Sequence, residues 1–387
     1  MSAEVIIIGA GVIGAATAFQ LSLLGVTDVL VVDRATAGSG MSCRSSALVR
    51  MHYTFPPEVE LAVRSDVMFE AWPDLTGRPP CIRRTGFARI VLPGEESALR
   101  ANLAMQRALG ARAEVIDGAG LAELAPGFRV DDISCAGWEP DGGYGDGGVV
   151  AGDLLAAARA GGVRYRPNTV VRSLLRDGDR VTGVRTQDGG DEYAGTVVLA
   201  AGVWSPPLAQ TAGLRLPIET ELHKVAVLAH APWEGAPFAC IDSVTQTYFR
   251  PEGAGGMTLV GSFAGPRGAD PDRVPDTACA DEVAAQVEAA SHRVPALAGA
   301  GIAGGVTGVY DMTPDARPLL GRMPGVDGLI VAAGFSGMGF KIAPAVGESV
   351  AGLIAGPPPG SVAIGPFRPG RFDEGAPVQA PYPYSDD

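Results

Sequence analysis

Lysine is almost missing from this chain of 387 residues: of 30 basic residues only Lys224 and Lys341 are lysine, the others being arginine. Each surviving lysine is therefore a candidate for a role that arginine does not fill. Cysteine is sparse and scattered (Cys43, Cys81, Cys135, Cys240, Cys279), with no C-x-x-C pair. That excludes a sequence-evident zinc or iron–sulfur site, predicts no metal, and fits a reducing compartment, the cytoplasm. The four histidines (His52, His223, His230, His292) show no triad or metal-ligand spacing, and each is expected to be structural. No apolar run reaches membrane-spanning length, and an apolar strand that begins by residue 4 leaves no room for a signal peptide. A formal net charge of −13 argues against nucleic acid or an anionic membrane as partner.

What is present begins at once. Glu4 through Ile8 is a short β-branched run, broken at Gly9 and resumed as an apolar-periodic segment through Val12, Ala16, Phe19 and Leu23. The pattern predicts strand, tight turn and helix. Gly9, Gly11 and Gly14 have the G-x-G-x-x-G spacing, in which the first glycine makes the turn, the second admits a pyrophosphate and the third lets helix pack on strand. A helix N-terminus with free amides then faces the phosphates. The second strand, Val29–Val32, ends in Asp33, 24 residues beyond Gly9, where a ribose-binding carboxylate belongs. In a chain with 54 glycines the spacing alone is weak; its strand–turn–helix–strand–acid context makes it specific.

A chain this long exceeds one hydrophobic core, so two lobes are expected. The small-residue loop from Arg34 to Ser46 is long enough to lie against a large ligand. Helices are predicted over 58–72, 95–109, 150–160 and 277–293, and strands over 86–92 and between 163 and 186. Residues 196–205 read as a buried parallel strand ending in Ala201-Gly202-Val203-Trp204. From Glu221 to Phe263 the alternation turns antiparallel, as for a second lobe inserted into the first. Gly328–Lys341 then repeats strand, glycine-rich turn and helix, with Gly337, Met338, Gly339 and Lys341 at the turn. Residues 373–387 are expected to form a flexible tail.

These pieces together resemble the D-amino-acid-oxidase-like flavoproteins, in the branch holding monomeric sarcosine oxidase, glycine oxidase, and the sarcosine and dimethylglycine dehydrogenases. The resemblance runs from residue 4 to about Phe372. It rests on the Gly9–Gly14 turn with Asp33-Arg34, Gly-Tyr-Gly-Asp at 143–146, Ala-Ala-Gly-Val-Trp-Ser at 200–205, Thr-Pro-Asp-Ala-Arg-Pro at 313–318, Gly-Phe-Ser-Gly-Met-Gly-Phe-Lys at 334–341, and Phe-Arg-Pro-Gly-Arg-Phe at 367–372. It implies an α/β Rossmann-like FAD-binding domain (1–85, 145–215 and 305–372) with an inserted antiparallel-sheet substrate domain (86–144 and 216–304). The same resemblance assigns FAD to Gly9, Gly11, Val12, Ile13, Gly14, Asp33, Arg34, Ser42, Val171, Ala201, Gly202, Trp204 and the second turn. Aromatic hydroxylases carry a Gly-Asp-Ala motif that is absent here, and a plain nicotinamide dehydrogenase does not account for the second glycine turn.

The activity implied is oxidation of a C–N bond in a small amine or amino acid by hydride transfer to flavin N5, giving an imine. The alternatives are an FAD-carrying subunit of a hetero-oligomeric dehydrogenase and a tailoring oxidase acting on an unusual C–N or N–N bond. By resemblance, Arg50 and Lys341 hold the substrate carboxylate, and Tyr248, Phe263 and Tyr310 wall the pocket. Three departures matter. Gly308-Val309-Tyr310 stands where sarcosine oxidase has a flavin-linking cysteine, and Met41-Ser42-Cys43 offers no linking histidine, so FAD is expected to be non-covalent. Thr258 stands where oxidases place a lysine that assists oxygen, so the electron acceptor is oxygen or another carrier. The protein is expected to act alone or as a homo- or hetero-oligomer.

Overall fold

The structure is a computed structural model that describes residues 2–231, 234–253 and 256–385. Its first sheet is built on the opening strand Ser2–Ile8, which lies between two parallel neighbours, Val29–Val32 and Asp191–Leu199. The latter strand is nine residues long and uses its far edge twice: its first third pairs antiparallel with Arg180–Thr186, its last third parallel with Leu329–Ala333. That sharing brings the two strand–glycine–helix units side by side. Helices Val12–Leu23 and Gly339–Ala355 follow them and pack against each other, with Gly147–Ala160 and Pro56–Glu70 completing the layer. The apolar runs of the central strands are buried on both faces, as a covered parallel sheet requires.

Two glycines make the opening turn possible. Gly9 has φ +104°, and a Cβ there would collide with the Ala200 carbonyl; a Cβ on Gly14 would collide with the carbonyl of Gly9. The helix expected over 150–160 starts earlier, at Gly147, because the Asp146 side chain accepts from the amides of Gly148 (2.8 Å) and Val149 (3.0 Å).

The second sheet has eight strands in the order 301–312, 219–229, 257–262, 247–252, 239–242, 87–90, 136–139 and 114–116. All neighbours are antiparallel except Ala239–Asp242 with Phe87–Ile90. Helix Ala280–Arg293 packs on one face of it. Two expectations need correction here. The domain boundary at residue 305 falls inside the strand Gly301–Met312, which pairs with Glu219–Ala229 along its whole length; its glycine-rich start hides a strand that its partner imposes. The tail is not loose over its described residues, because Val378 N–H donates to Asp315 Oδ2 (2.9 Å) and Tyr384 is only 5% exposed.

Candidate active site

The loop after the second strand joins the glycine turn to a cavity between the two sheets' residues. At its start Ser42 Oγ accepts from the Val12 amide at 3.1 Å, the first donor of the uncapped helix Val12–Leu23. A Cβ on Gly11 would meet only this Ser42 Oγ, at 3.1 Å, so the space above the turn is otherwise clear. Asp33 closes the turn from the side, accepting from the amides of Ala10 (2.6 Å) and Ala35 (2.8 Å). Burial pushes its carboxyl up, against those two bonds. Thr169 N–H donates to the Asp33 carbonyl, and Val171 begins its strand two residues further on, half-buried. Ala201 and Gly202 end the strand beside the turn, and nothing lies within 4 Å of a Cβ added to Gly202. Arg34 reaches Asp272 (2.6 Å) and lies 5.1 Å from the Trp204 ring centre, while Trp204 Nε1 donates to the same carboxylate (3.0 Å).

At the other end of the loop, Ser45 through Leu48 enter the wall of a cavity of about 310 Å³. Arg50, Lys341, Tyr248, Tyr310 and Phe263, all expected at the substrate pocket, line this one cavity. The second turn reaches it as well, through Ser336, Gly337 and Met338. Asp311 fixes that turn by accepting from the Gly334 amide at 2.7 Å; burial pushes its carboxyl up to about 6. Gly337 is needed as glycine, with φ +84° and a Cβ that would sit 2.5 Å from the Tyr310 ring, while one at 339 would be a tight 3.2 Å from Phe335 Cβ.

Lys341 is 7% exposed, and among the described residues its Nζ has only the Gly337 carbonyl, at 3.4 Å. Burial first, then the positive charge of Arg50, pushes its ammonium well below the usual lysine range, with Glu58 opposing. Arg50 lies with its guanidinium 4.3 Å from the Tyr53 ring centre and 5.8 Å from that of Phe87, and its buried Nε has no hydrogen-bond partner. The nearby Glu139 does not neutralise it fully, because burial pushes this carboxyl up to about 8 and so protonates it at neutral pH. Burial also raises the hydroxyls of Tyr248 and Tyr310, which therefore stay neutral donors.

Thr258 is not in the cavity. It is fully buried, its hydroxyl 2.9 Å from His230 Nε2, on the same face as Val260 in the core beneath helix Ala280–Arg293. Strand alternation turns Leu259 and Gly261 to the other face, where a Cβ on Gly261 would meet the Tyr248 ring. The cavity is reached only at this strand's end, by Ser262 and Phe263, and no lysine stands there: Lys224 is held by Glu282 (2.5 Å). Two histidines expected to be structural do line the cavity. His223 stacks on Tyr310 with ring centres 3.9 Å apart and shares a hydrogen bond with Glu221 (3.0 Å). His52 lies against Tyr384 from the end of the chain. Arg317, from the 313–318 motif, also lines it, 2.9 Å from Glu58 Oε1. His52 and Arg317 meet partners far off in the chain, and for His223 the nearby Glu221 gives no sign that Tyr310 will stack on the histidine. Asp315 of the same motif works at a distance, holding the buried Arg371 at 2.7 and 2.8 Å. Among the described residues, no group of three His, Cys, Asp or Glu side chains could hold a metal ion, and no helix is long and apolar enough to cross a membrane.

The loop that contacts the first glycine turn through Ser42 also enters the wall of the cavity that Arg50 and Lys341 line, and the relatives say what such a layout serves. The profile of the FAD dependent oxidoreductase family (DAO) matches residues 4–353, and the chain belongs to that family. It is 30% identical to 4-methylaminobutanoate oxidase (formaldehyde-forming) of Paenarthrobacter nicotinovorans, over 92% of this chain but 44% of that protein's length. It is also 30% identical to sarcosine oxidase subunit beta of Rhizobium meliloti, over 96% of this chain and 89% of the relative. In structure it is similar to L-proline dehydrogenase from P. horikoshii, with a TM-score of 0.88 and 25% identity, over 97% of this chain and 99% of that one. The protein is an FAD-dependent oxidoreductase, and the residues around the first turn fit the cofactor: a space above Gly11 bounded only by Ser42 Oγ, a helix N-terminus, and a loop leading to the cavity.

Of the cysteines, Cys43 turns its thiol back on its own loop, toward the Gly40 carbonyl (3.2 Å), and Cys240 is fully buried in the second-sheet core. Acid precipitation is therefore expected to release all the flavin colour into the supernatant; colour retained in the pellet would show a covalent link.

Proposed function

We propose that this protein oxidises the C–N bond of a small amino acid with a secondary amine, N-methylated or cyclic, to an imine that hydrolyses. The observation that carries the reading is Arg50. A half-buried arginine whose buried Nε lacks a partner among the described residues, next to a buried lysine whose ammonium burial disfavours, is a site suited to an anion. The three relatives above are named for substrates that share one chemistry, a secondary amine bearing a carboxylate, which supports the same reading.

In this reading Arg50 and Lys341 hold the carboxylate, and Tyr248, Tyr310 and Phe263 orient the amine-bearing carbon by packing and by neutral hydroxyl donors. The aromatic walls exclude water and favour the unprotonated amine, which is the form able to give up a hydride. Ile13 would hold the pyrophosphate through its amide, beside the Ser42 hydroxyl that takes the Val12 amide, and Asp33 would hold the ribose. When bound, FAD supplies the acceptor for that hydride. Electrons then leave to oxygen or to another carrier. The relation to a sarcosine oxidase beta subunit supports a second arrangement, in which a partner subunit takes them; purification of the chain alone as an active enzyme would exclude it.

The test is an anaerobic screen for flavin bleaching with glycine, sarcosine, dimethylglycine, proline, pipecolate, D-amino acids and 4-methylaminobutanoate. Bleaching by a carboxylate-bearing secondary amine is expected. Equal bleaching by N-methylbutylamine, which has no carboxylate, would sink the proposal.

A further inference from the structure

The segment that follows the last turn of the fold does not trail into solvent. It is tied down stepwise: Ala376 N–H to the Arg371 carbonyl (2.7 Å), Val378 N–H to Asp315 Oδ2 (2.9 Å), Asn102 Nδ2 to the Tyr382 carbonyl (2.9 Å), and both the amide and hydroxyl of Ser385 to Glu95 Oε1 (2.8 and 2.6 Å). These anchors lie on the first lobe at one end and on the helix Glu96–Ala108 and its approach at the other. Between them the side chains alternate. Tyr382 points out, 46% exposed, while Tyr384 points in, 5% exposed, among Val91, Leu99, Leu103 and Cys135.

The buried tyrosine reaches the substrate cavity. Its hydroxyl is 2.9 Å from His52 Nε2, the two rings stack with centres 5.8 Å apart, and the Arg89 guanidinium lies 5.0 Å from its ring centre. His52, Arg89 and Tyr384 all line the cavity that holds Arg50 and Lys341. Burial first, then the charges of Arg89 and Arg50, keeps His52 neutral, so the bond to Tyr384 joins two uncharged groups.

From this placement we infer that Tyr384 is a specificity-determining residue, a removable wall that a C-terminal strap presses into the substrate cavity to limit the substituent an amine substrate carries. The inference rests on the proposed function for the nature of the substrate, and on geometry alone for the wall. Tyr384 belongs to neither sheet and to neither glycine turn, so its loss shortens the wall without disturbing the cofactor residues. The ligand class follows: a short-chain secondary amino acid for the native cavity, and a longer or aromatic N-substituted one when the tyrosine is gone.

The experiment compares sarcosine, N-propylglycine and N-benzylglycine on FAD-loaded wild type, Tyr384→Ala, Tyr384→Phe and Glu95→Ala. The last loosens the strap from outside the cavity. A wall of this size is expected to shift the ratio of kcat/KM for the benzyl over the methyl substrate by about tenfold or more in Tyr384→Ala, toward the larger one. Tyr384→Phe should keep the wild-type ratio, and Glu95→Ala should move it the same way by less. A substrate-independent measurement runs beside it: iodide quenching of flavin fluorescence should rise in Tyr384→Ala. If Tyr384→Ala keeps the wild-type absorption spectrum and Tm but neither the ratio nor the quenching moves, the inference is overturned. If wild type turns over none of the three while quenching rises, the wall stands and the proposed substrate class falls. If turnover occurs but both readouts are unchanged, the proposed function stands and the wall falls.

Discussion

Arg50→Gln is expected to lower kcat/KM for the carboxylate-bearing substrate by about 10²- to 10³-fold, with the flavin spectrum and Tm close to wild type. In the free protein the Arg50 guanidinium rests on Tyr53 and Phe87 and its Nε has no partner; among the described residues it forms no ion pair. Its removal therefore leaves no buried acid stranded, since Glu139 is held largely protonated by its own burial. In the complex the situation reverses. Truncating one partner of a buried, hydrogen-bonded charge pair costs roughly 2–5 kcal/mol, because the other charge is left desolvated and unpaired. At about 1.4 kcal/mol per decade the low end of that range already gives more than a tenfold loss. Arg50→Lys should recover part of it, as a point charge replaces a two-pronged donor. The measurement is steady-state kinetics with sarcosine or whichever amino acid bleaches the flavin, paired with N-methylbutylamine. A loss below about fivefold, where an ordinary surface arginine would fall, or an equal loss for both amines, removes Arg50 from carboxylate binding.

How much of this was legible in the sequence depends on whether a constraint is local. The glycine turns were, because Gly9 and Gly14 are required by contacts within one strand–turn–helix unit. Lys341 stood out because it lies four residues after Gly337 in a chain that scarcely uses lysine. Thr258 failed for a reason particular to strands: side chains alternate with period two, and which face a residue joins is set by the sheet's packing, which here puts Thr258 with Val260 in the core. His52 and His223 were dismissed because each is alone in the chain. What brings them to the cavity is long-range: His52 meets Tyr384 from 332 residues away, and His223, though bonded to the nearby Glu221, is placed by stacking on Tyr310 of the paired strand. The strand Gly301–Met312 and the segment after 373 were both misjudged from glycine, proline and small residues. In each case long-range pairing, with Glu219–Ala229 or with Glu95, Asn102 and Asp315, supplies the order that local propensity withholds.

Lys341 leads to a second large effect, and here the sign can be worked out. In the free protein, burial and the Arg50 charge hold the ammonium well below its usual range, so over a window extending down from about 10.4, the reference lysine value, the group binds fewer protons than a solvated lysine. A carboxylate arriving between Arg50 and Lys341 stabilises the charged form and raises that pKa. Between the free and the bound value, binding takes up a proton. Affinity for a carboxylate ligand is therefore highest below the free-state pKa and falls as pH rises through the window, with a slope approaching one decade per pH unit. Acetate or an unreactive substrate analogue, titrated against the flavin absorption at several pH values, measures this directly, and a weakly buffered titration counts the proton. Lys341→Met should remove both the proton uptake and the slope. It should also cost about 10²-fold in affinity at low pH, where wild type has the charge pair and the variant does not. A wild-type affinity flat from pH 6 to 10, about four decades of proton activity, would mean that Lys341 stays charged or stays uninvolved. Only in the second case would the cavity hold its anion through Arg50 alone, and Lys341→Met tells the two apart, since it weakens binding only where the lysine is charged and involved.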